Sequence, residues 1–365
     1  MAQLSPYRAL QLTENNGGKS LNPLFSINET LTAGLFLNWL ETGLLKQMTA
    51  PAILICELEF SRFGQKQTVK GLICPVQAEG DALSCMEPEP AQVKDMTAFM
   101  EQTGFQPRPV TALYDDVSRE TWSRITLLSS GKPRFSFTES GVTHRVWVIN
   151  DLMVIAALRA DFELRRLFLA DGIEVYESAL NLRQNEKSSS VLTFLVDAGQ
   201  GGLTVLPSHL LYFSPEPLNQ ELLFSRSEPY FRKIARSGEQ EITANLDALY
   251  RQGKKAFACY TGGSDWTLFI LREDSTYDEP TLHRLVTEML SVPAQQSDSA
   301  FTRTASVEAA LTQVQSGKAR AAFLFSAPRL LELRTLAESE KKLPPHAYFF
   351  YPASPEEFGL SIDTQ

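Results

Sequence analysis

The stretch Leu167-Phe168-Leu169-Ala170-Asp171-Gly172-Ile173-Glu174-Val175-Tyr176-Glu177-Ser178-Ala179-Leu180 sets three carboxylates around one glycine. An apolar strand-like run, a tight Gly turn and a helical pattern follow one another. Such a turn exposes free backbone N–H groups at a helix start, which suits an anion. Asp171, Gly172 and Tyr176 are therefore the candidate ligand-binding positions. Glu174 and Glu177 stand three apart and share one helix face. They could act as a paired general acid and base. A solvated helix start favoured by the macrodipole is the plainer reading of both.

Other chemistry finds less support. Gly17-Gly18-Lys19-Ser20 has Thr13 where a phosphate loop needs its first glycine, and no apolar strand precedes it. The histidines, His144, His209, His283 and His346, have no metal-ligand spacing, so no metal site is expected. Gly-x-Ser-x-Gly is absent, which removes the hydrolase elbow. Cys56, Cys74, Cys85 and Cys259 form no C-x-x-C pair and read as small hydrophobes.

The elements that must position these residues alternate in type. Residues 28–47 read as a helix capped by Asn28 and ended by Gly43. Ala52–Phe60 and Thr68–Val76 form a hairpin, and Glu79–Gln92, with Pro88 and Pro90, an extended surface loop. A second hairpin turns at Ser140-Gly141, a helix over 152–160 starts after Asn150-Asp151, and strand 167–169 leads into helix 173–183. Further on, 224–237 and 241–252 read as helices, 256–260 and 266–271 as a hairpin, and 321–325 and 348–351 as strands. Hairpins mixed with strand–helix units predict an α+β fold with mixed sheets packed by helices. The expected layout is one family-length unit over 1–365. Its subdomains are 1–144, a core with the Asp-Gly turn over 145–213, and 214–365. Proteolysis is expected first at 79–92, 186–190 or 293–299.

Composition narrows the function class. The 365 residues are 43% hydrophobic and 21% charged, with a net charge of −9. That supports a sizeable core and argues against nucleic-acid binding, which needs clustered Lys and Arg. No apolar stretch is long enough for a membrane span, and no secretory signal is visible at Met1–Leu12. A cytoplasmic protein is expected.

The Asp-Gly segment resembles the A-D-G-H-H-R-Y-E-x-A-L signature of a bacterial and archaeal family, domain of unknown function 1015. Pro6-Tyr-Arg-Ala-Leu10 is similar to its opening P-F-R-A-L, and Pro109-Val-Thr-Ala-Leu-Tyr-Asp-Asp116 to its S-P-I-F-G-L-Y-D-D. Trp147-Val-Ile-Asn-Asp151 resembles its lead-in, and Leu203-Thr-Val-Leu-Pro-Ser-His209 the strand ending in L-P-T-H-R. Ala321-Ala-Phe-Leu-Phe325 and Leu343-Pro-Pro-His-Ala-Tyr-Phe-Phe-Tyr-Pro352 resemble its closing motifs. All stand in the family's order. The resemblance implies a ParB/sulfiredoxin-like core around 145–212, in a superfamily that binds nucleotides and includes free-serine kinases. It makes phosphoryl transfer the family's candidate chemistry, with nucleotide or pyrophosphate and Mg as cofactors.

This chain departs where that chemistry would sit. His-His-Arg of the turn reads Ile173-Glu174-Val175, and A-P-P-Y-D-V-I near the start reads Leu21-Asn-Pro-Leu-Phe-Ser-Ile27. In the closing motif, His346 replaces Lys. Framework positions match and charged motif positions do not. The reading is a degenerate-site, non-catalytic paralogue with a binding or regulatory role and no cofactor. Its partner is a small molecule or a protein, and self-association stays open. The alternative is a phosphotransferase or other enzyme with a remodelled site built from the polar residues left at matched positions, Glu174, Glu177, His209 and His346.

Overall fold

The computed structural model describes residues 2–12, 32–62, 64–77, 83–184, 190–238, 241–275, 277, 281–290, 300–339, 341–355 and 360–361. Gly17–Ser20, Leu21–Ile27, Asn28 and, of the loops expected to be nicked, residues 79–82, 186–189 and 293–299 lie outside the described residues. The chain is α+β and forms two compact units, one of Met1–Ser84, Pro88–Thr204 and Phe350–Gln365, the other of Cys85–Glu87 and Val205–Phe349. The boundary expected at residue 144 falls inside a strand of the first unit.

The first unit runs β1 (Leu10–Leu12), α1 (Ala33–Glu41), β2 (Leu45–Gln47), β3 (Ile53–Arg62), β4 (Gln65–Gln77), α2 (Pro90–Thr103), β5 (Phe105–Gln106), β6 (Val110–Tyr114) and α3 (Glu120–Leu128). It continues through β7 (Phe135–Glu139), β8 (Val142–Ile149), α4 (Leu152–Phe162), β9 (Phe168–Asp171), α5 (Ile173–Gln184) and β10 (Ser190–Asp197). Seven strands form a mixed sheet in the order β7-β8-β3-β4-β10-β6-β9, in which β10 and β6 are parallel and the other pairs antiparallel.

Local chemistry explains several of these elements. Ser140 and Gly141 both have positive φ, 46° and 81°, as a two-residue hairpin turn with the right twist requires. Asp151 accepts from the N–H groups of Met153 and Val154 and so caps α4. The first helix is shorter than expected: Thr32 caps it, and Leu45–Gln47 pairs with β1 instead of continuing it. Pro90 opens α2 as its first residue rather than extending a loop, because its missing N–H is unneeded there. Gly71 lets β4 lie close to β10, since a Cβ there would sit 2.2 Å from the carbonyl oxygen of Leu195. One face of the sheet packs Ile55, Leu72, Tyr114 and Leu195 against Ile125 of α3 and Ile155, Leu158 and Phe162 of α4. Helices α2 and α5 pack on each other elsewhere in the unit.

The second unit holds β11 (Thr204–Pro207, its first residue in the other unit), β12 (His209–Tyr212), α6 (Gln220–Ser227), β13 (Phe231–Ser237), α7 (Ile242–Arg251), β14 (Ala256–Tyr260) and β15 (Asp265–Leu271). It then has α8 (His283–Leu290), β16 (Phe301–Thr304), α9 (Val307–Gln315), β17 (Ala321–Phe325), α10 (Leu330–Ala337) and the start of β18 (Tyr348–Tyr351). Six strands make an antiparallel sheet, β13-β15-β14-β17-β12-β16. Its central strands bury both faces by strict alternation. Phe257, Cys259, Phe323 and Phe325 meet α6 and α8, while Ala258, Tyr260, Ala322 and Leu324 meet α7 and α9. The expected helix over 224–237 is instead α6 followed by β13. Pro229, which has no N–H to continue the helical ladder, follows the C-cap of α6 at Glu228, and β13 then pairs with β15 along its length.

Candidate functional site

The Asp-Gly turn lies at the end of β9. Gly172 has φ 84°, and a Cβ there would meet Val110 at 3.1–3.3 Å, so both conformation and space demand glycine. Asp171 Oδ1 accepts the N–H of Gly172 at 2.9 Å. Helix α5 begins at the next residue.

The helix start is not solvated, contrary to the expectation for Glu174. Ile173, Val175 and Tyr176 are buried, Val175 completely, and Glu174 is only 7% exposed. Glu174 Oε1 accepts the backbone N–H of Glu89 at 3.4 Å, at the N-cap of α2. One carboxylate thus sits at the positive ends of two helices, in the first turn of α5 and at the cap of α2. Ser178 Oγ donates to Val93 O at 3.0 Å and to Glu174 O at 2.7 Å, which fastens the same contact. Glu177 is half-buried, and burial pushes its carboxyl up from the usual range. The positions where the family carries His-His-Arg are core positions here.

The two histidine candidates belong to the second unit, whereas Asp171, Gly172, Glu174, Tyr176 and Glu177 belong to the first. His209 is buried on β12, and its Nδ1 accepts the N–H of Phe325 at 3.1 Å. Its ring therefore supplies the acceptor beyond the last β12–β17 backbone pair, Leu210 with Phe323. His209 Nε2 has no hydrogen-bond partner among the described residues, and burial pushes its pKa down to about 4. His346 sits in a turn with φ 53°, and its carbonyl accepts from Arg303 Nη1 at 3.4 Å.

Two features lie outside the sequence-based candidates. The Tyr114-Asp115-Asp116 motif is structural: buried Asp116 accepts from Arg165 Nη2 at 2.9 Å and from the N–H of Trp122 at 2.7 Å. Arg165 also lies over the ring of Tyr114, 4.8 Å from its centroid. The other feature is a cleft of ≈ 570 Å³ in the second unit, walled by residues from β14, α8, β17, α10 and the segment before β18. His283 forms part of its wall. His283 Nε2 donates to Ser208 O at 2.7 Å, its Nδ1 accepts from the Thr281 hydroxyl, and its ring stacks on Phe325 at 4.1 Å. Burial, with Arg303 nearby, pushes its pKa down to about 3, so it is neutral at physiological pH. No sequence spacing marks this cleft, because its walls come from segments up to roughly 100 residues apart along the chain.

The sequence model of the family described as "Protein of unknown function (DUF1015)" matches residues 1–288. The chain belongs to that family. The DUF1015 match spans the Asp-Gly turn, His209 and His283, and stops before α10. No curated protein matches the chain. Among solved structures it is similar to a free serine kinase in complex with AMP, at 11% identity over 78% of this chain and 90% of that chain, with a TM-score of 0.47. A conserved hypothetical protein from Pyrococcus furiosus is similar at 10% identity, 78% and 93% coverage and a TM-score of 0.46. SbnI with a C-terminal truncation, from Staphylococcus aureus, is similar at 12% identity, 78% and 85% coverage and a TM-score of 0.44. Likeness at these scores carries no argument about activity. Among the described residues, no group of three or more His, Cys, Asp or Glu could hold a metal ion, and no helix is long and apolar enough to cross a membrane.

Proposed function

We propose that this DUF1015 protein is a degenerate-site paralogue that works by binding or regulation rather than by catalysis at the Asp-Gly turn. The observation that carries the reading is the burial of Ile173, Glu174 and Val175 at the start of α5. Phosphoryl transfer needs cations aimed at the transferred group. The turn supplies none from these positions, and its carboxylate is committed to the cap of α2. Asp171 and Glu177 add negative charge around the same helix start. At an effective dielectric near 20, each unit charge at 4–6 Å from a phosphate opposes binding by more than about 1 kcal/mol.

Calorimetry with ATP, ADP, CTP and pyrophosphate, each with Mg at millimolar concentration, tests this. Binding is expected to be weak or undetectable. A dissociation constant in the low micromolar range for any of them would overturn the reading.

A further inference from the structure

Strand β13 is the longer of the two edges of the second unit's sheet, seven residues against four in β16. Its register with β15 runs from Phe231 to Ser237 without a shift, and it contains no proline. The Arg272 N–H donates to Tyr230 O at 2.8 Å and the Gly238 N–H to Ser264 O at 3.0 Å, just beyond either end of the strand. Antiparallel pairing alternates between those two points. Arg232, Ile234 and Arg236 therefore turn their backbone groups toward β15, and Phe231, Lys233, Ala235 and Ser237 turn theirs away. Among the described residues, no backbone group pairs with these outward N–H and C=O groups. The Ala235 carbonyl has a guanidinium contact, from Arg236 Nη1 at 3.4 Å. A regular edge of this length is a template for another strand unless a bulge, a proline or a covering element blunts it.

The side chains select which strand it can take. Ile234 packs into the core with Trp266 and Leu268. Arg232 and Arg236 flank it on the same face, about 14 Å apart along the strand. Among the described residues neither meets a carboxylate, whereas Lys233, on the other face, lies 3.5 Å from Glu228. A second copy of β13 laid antiparallel about Ile234 would set Arg232 against Arg236, and like charges directly opposite are destabilising. The same two cations attract a strand that carries carboxylates there. Positions opposite Arg232, Ile234 and Arg236 are of the non-hydrogen-bonded kind, where facing side chains come closest.

We propose that β13 docks an extended acidic segment of a protein partner, added antiparallel to the sheet edge. Its carboxylates stand opposite Arg232 and Arg236, and an aliphatic side chain stands opposite Ile234. The recognised pattern is acidic-x-aliphatic-x-acidic. The edge belongs to the second unit and the Asp-Gly turn to the first, so this proposal and the nucleotide test stand or fall separately.

Fluorescence anisotropy with the full chain and a labelled peptide, T-E-T-V-T-E-T, tests it. Saturable binding at one site is expected, weakening as salt rises. Three peptide changes should each cost at least tenfold. Lysines in place of both glutamates reverse the charge. The order T-E-E-V-T-T-T moves one carboxylate to the other face. N-methylation of the third and fifth residues removes N–H groups that face β13 and keeps the charge. In the protein, Ala235→Pro removes an outward N–H and none from the ladder with β15, and should weaken binding as much. The double variant Arg232→Glu, Arg236→Glu should lose the acidic peptide and gain the lysine peptide, a gain that a misfolded chain would not show. No binding at millimolar peptide would overturn the proposal. So would equal binding of the reordered or N-methylated peptide, or a charge reversal that gains nothing. A dimer of the free protein that Ala235→Pro dissolves would overturn it too, by making a second copy the occupant.

Discussion

Glu174 accepts the backbone N–H of Glu89, joining the first turn of one helix to the cap of another. A carboxylate that looks catalytic by type and spacing thus has a structural task. Glu174→Ala should lower unfolding free energy by about 0.5–2 kcal/mol, the range for loss of a helix cap, and Glu174→Gln by less. Urea unfolding at pH 7 measures both. If Glu174→Ala left stability unchanged, the carboxylate would be free for another role.

Restoring the family's His-His-Arg should fail for a related reason. Ile173 and Val175 are core residues, so Val175→Arg places an unpaired cation in a site with no exposed surface. The expected cost is more than about 3 kcal/mol. The triple variant Ile173→His, Glu174→His, Val175→Arg should melt well below the wild type and gain no phosphate affinity. A folded triple variant with tighter phosphate binding would show that the turn can still open.

Asp116 and Arg165 should be coupled. The Asp116 side chain has no exposed surface, and Arg165 loses its buried counter-charge in Asp116→Asn. Breaking such a pair from one side costs about 3–5 kcal/mol. A double-mutant cycle with Arg165→Met measures the coupling. Additive effects would remove the pair from the account of this motif.

Three buried histidines predict acid lability. Burial pushes the pKa of His144 and His209 down to about 4 and that of His283 to about 3. A folded value below the unfolded one means the unfolded chain takes up protons first. Stability is therefore full above about pH 6.5 and falls as pH drops from there toward 4. Each group contributes about 1.4 kcal/mol per pH unit within that window. Glu177 works the other way, because neutralising its raised carboxyl relieves a burial penalty, but it is one group against three. Urea midpoints at pH 7 and pH 5 should differ clearly. Equal midpoints would show that the folded protein accepts these protons.

Gly71→Ala should be more damaging than Gly172→Ala. The first drives a Cβ to 2.2 Å from a backbone oxygen in the middle of the sheet. The second meets Val110 no closer than 3.1 Å, although at positive φ. Thermal melts of the two variants give the order.

Much of the scaffold was legible along the chain. The Ser140-Gly141 hairpin, the cap at Asp151, the Gly172 turn and most strand–helix alternation follow from turn chemistry and hydrophobic period, which act over a few residues. Family membership was legible in the order of short motifs from Pro6 to Asp171-Gly172 and His209. Where local preference and tertiary pairing compete, the local reading gave way: residues 231–237 form an edge strand because β15 offers a ladder. Burial was the larger gap. Glu174 reads as a solvated carboxylate until α2, some 85 residues earlier, is laid across it. His283 belongs to no motif, yet Ser208, Thr281 and Phe325 together hold it neutral in a cleft wall. Residue types and spacing set what each segment can become. What each side chain touches, and so whether a carboxylate is a catalyst or a cap, is decided by the partners that distant segments bring to it.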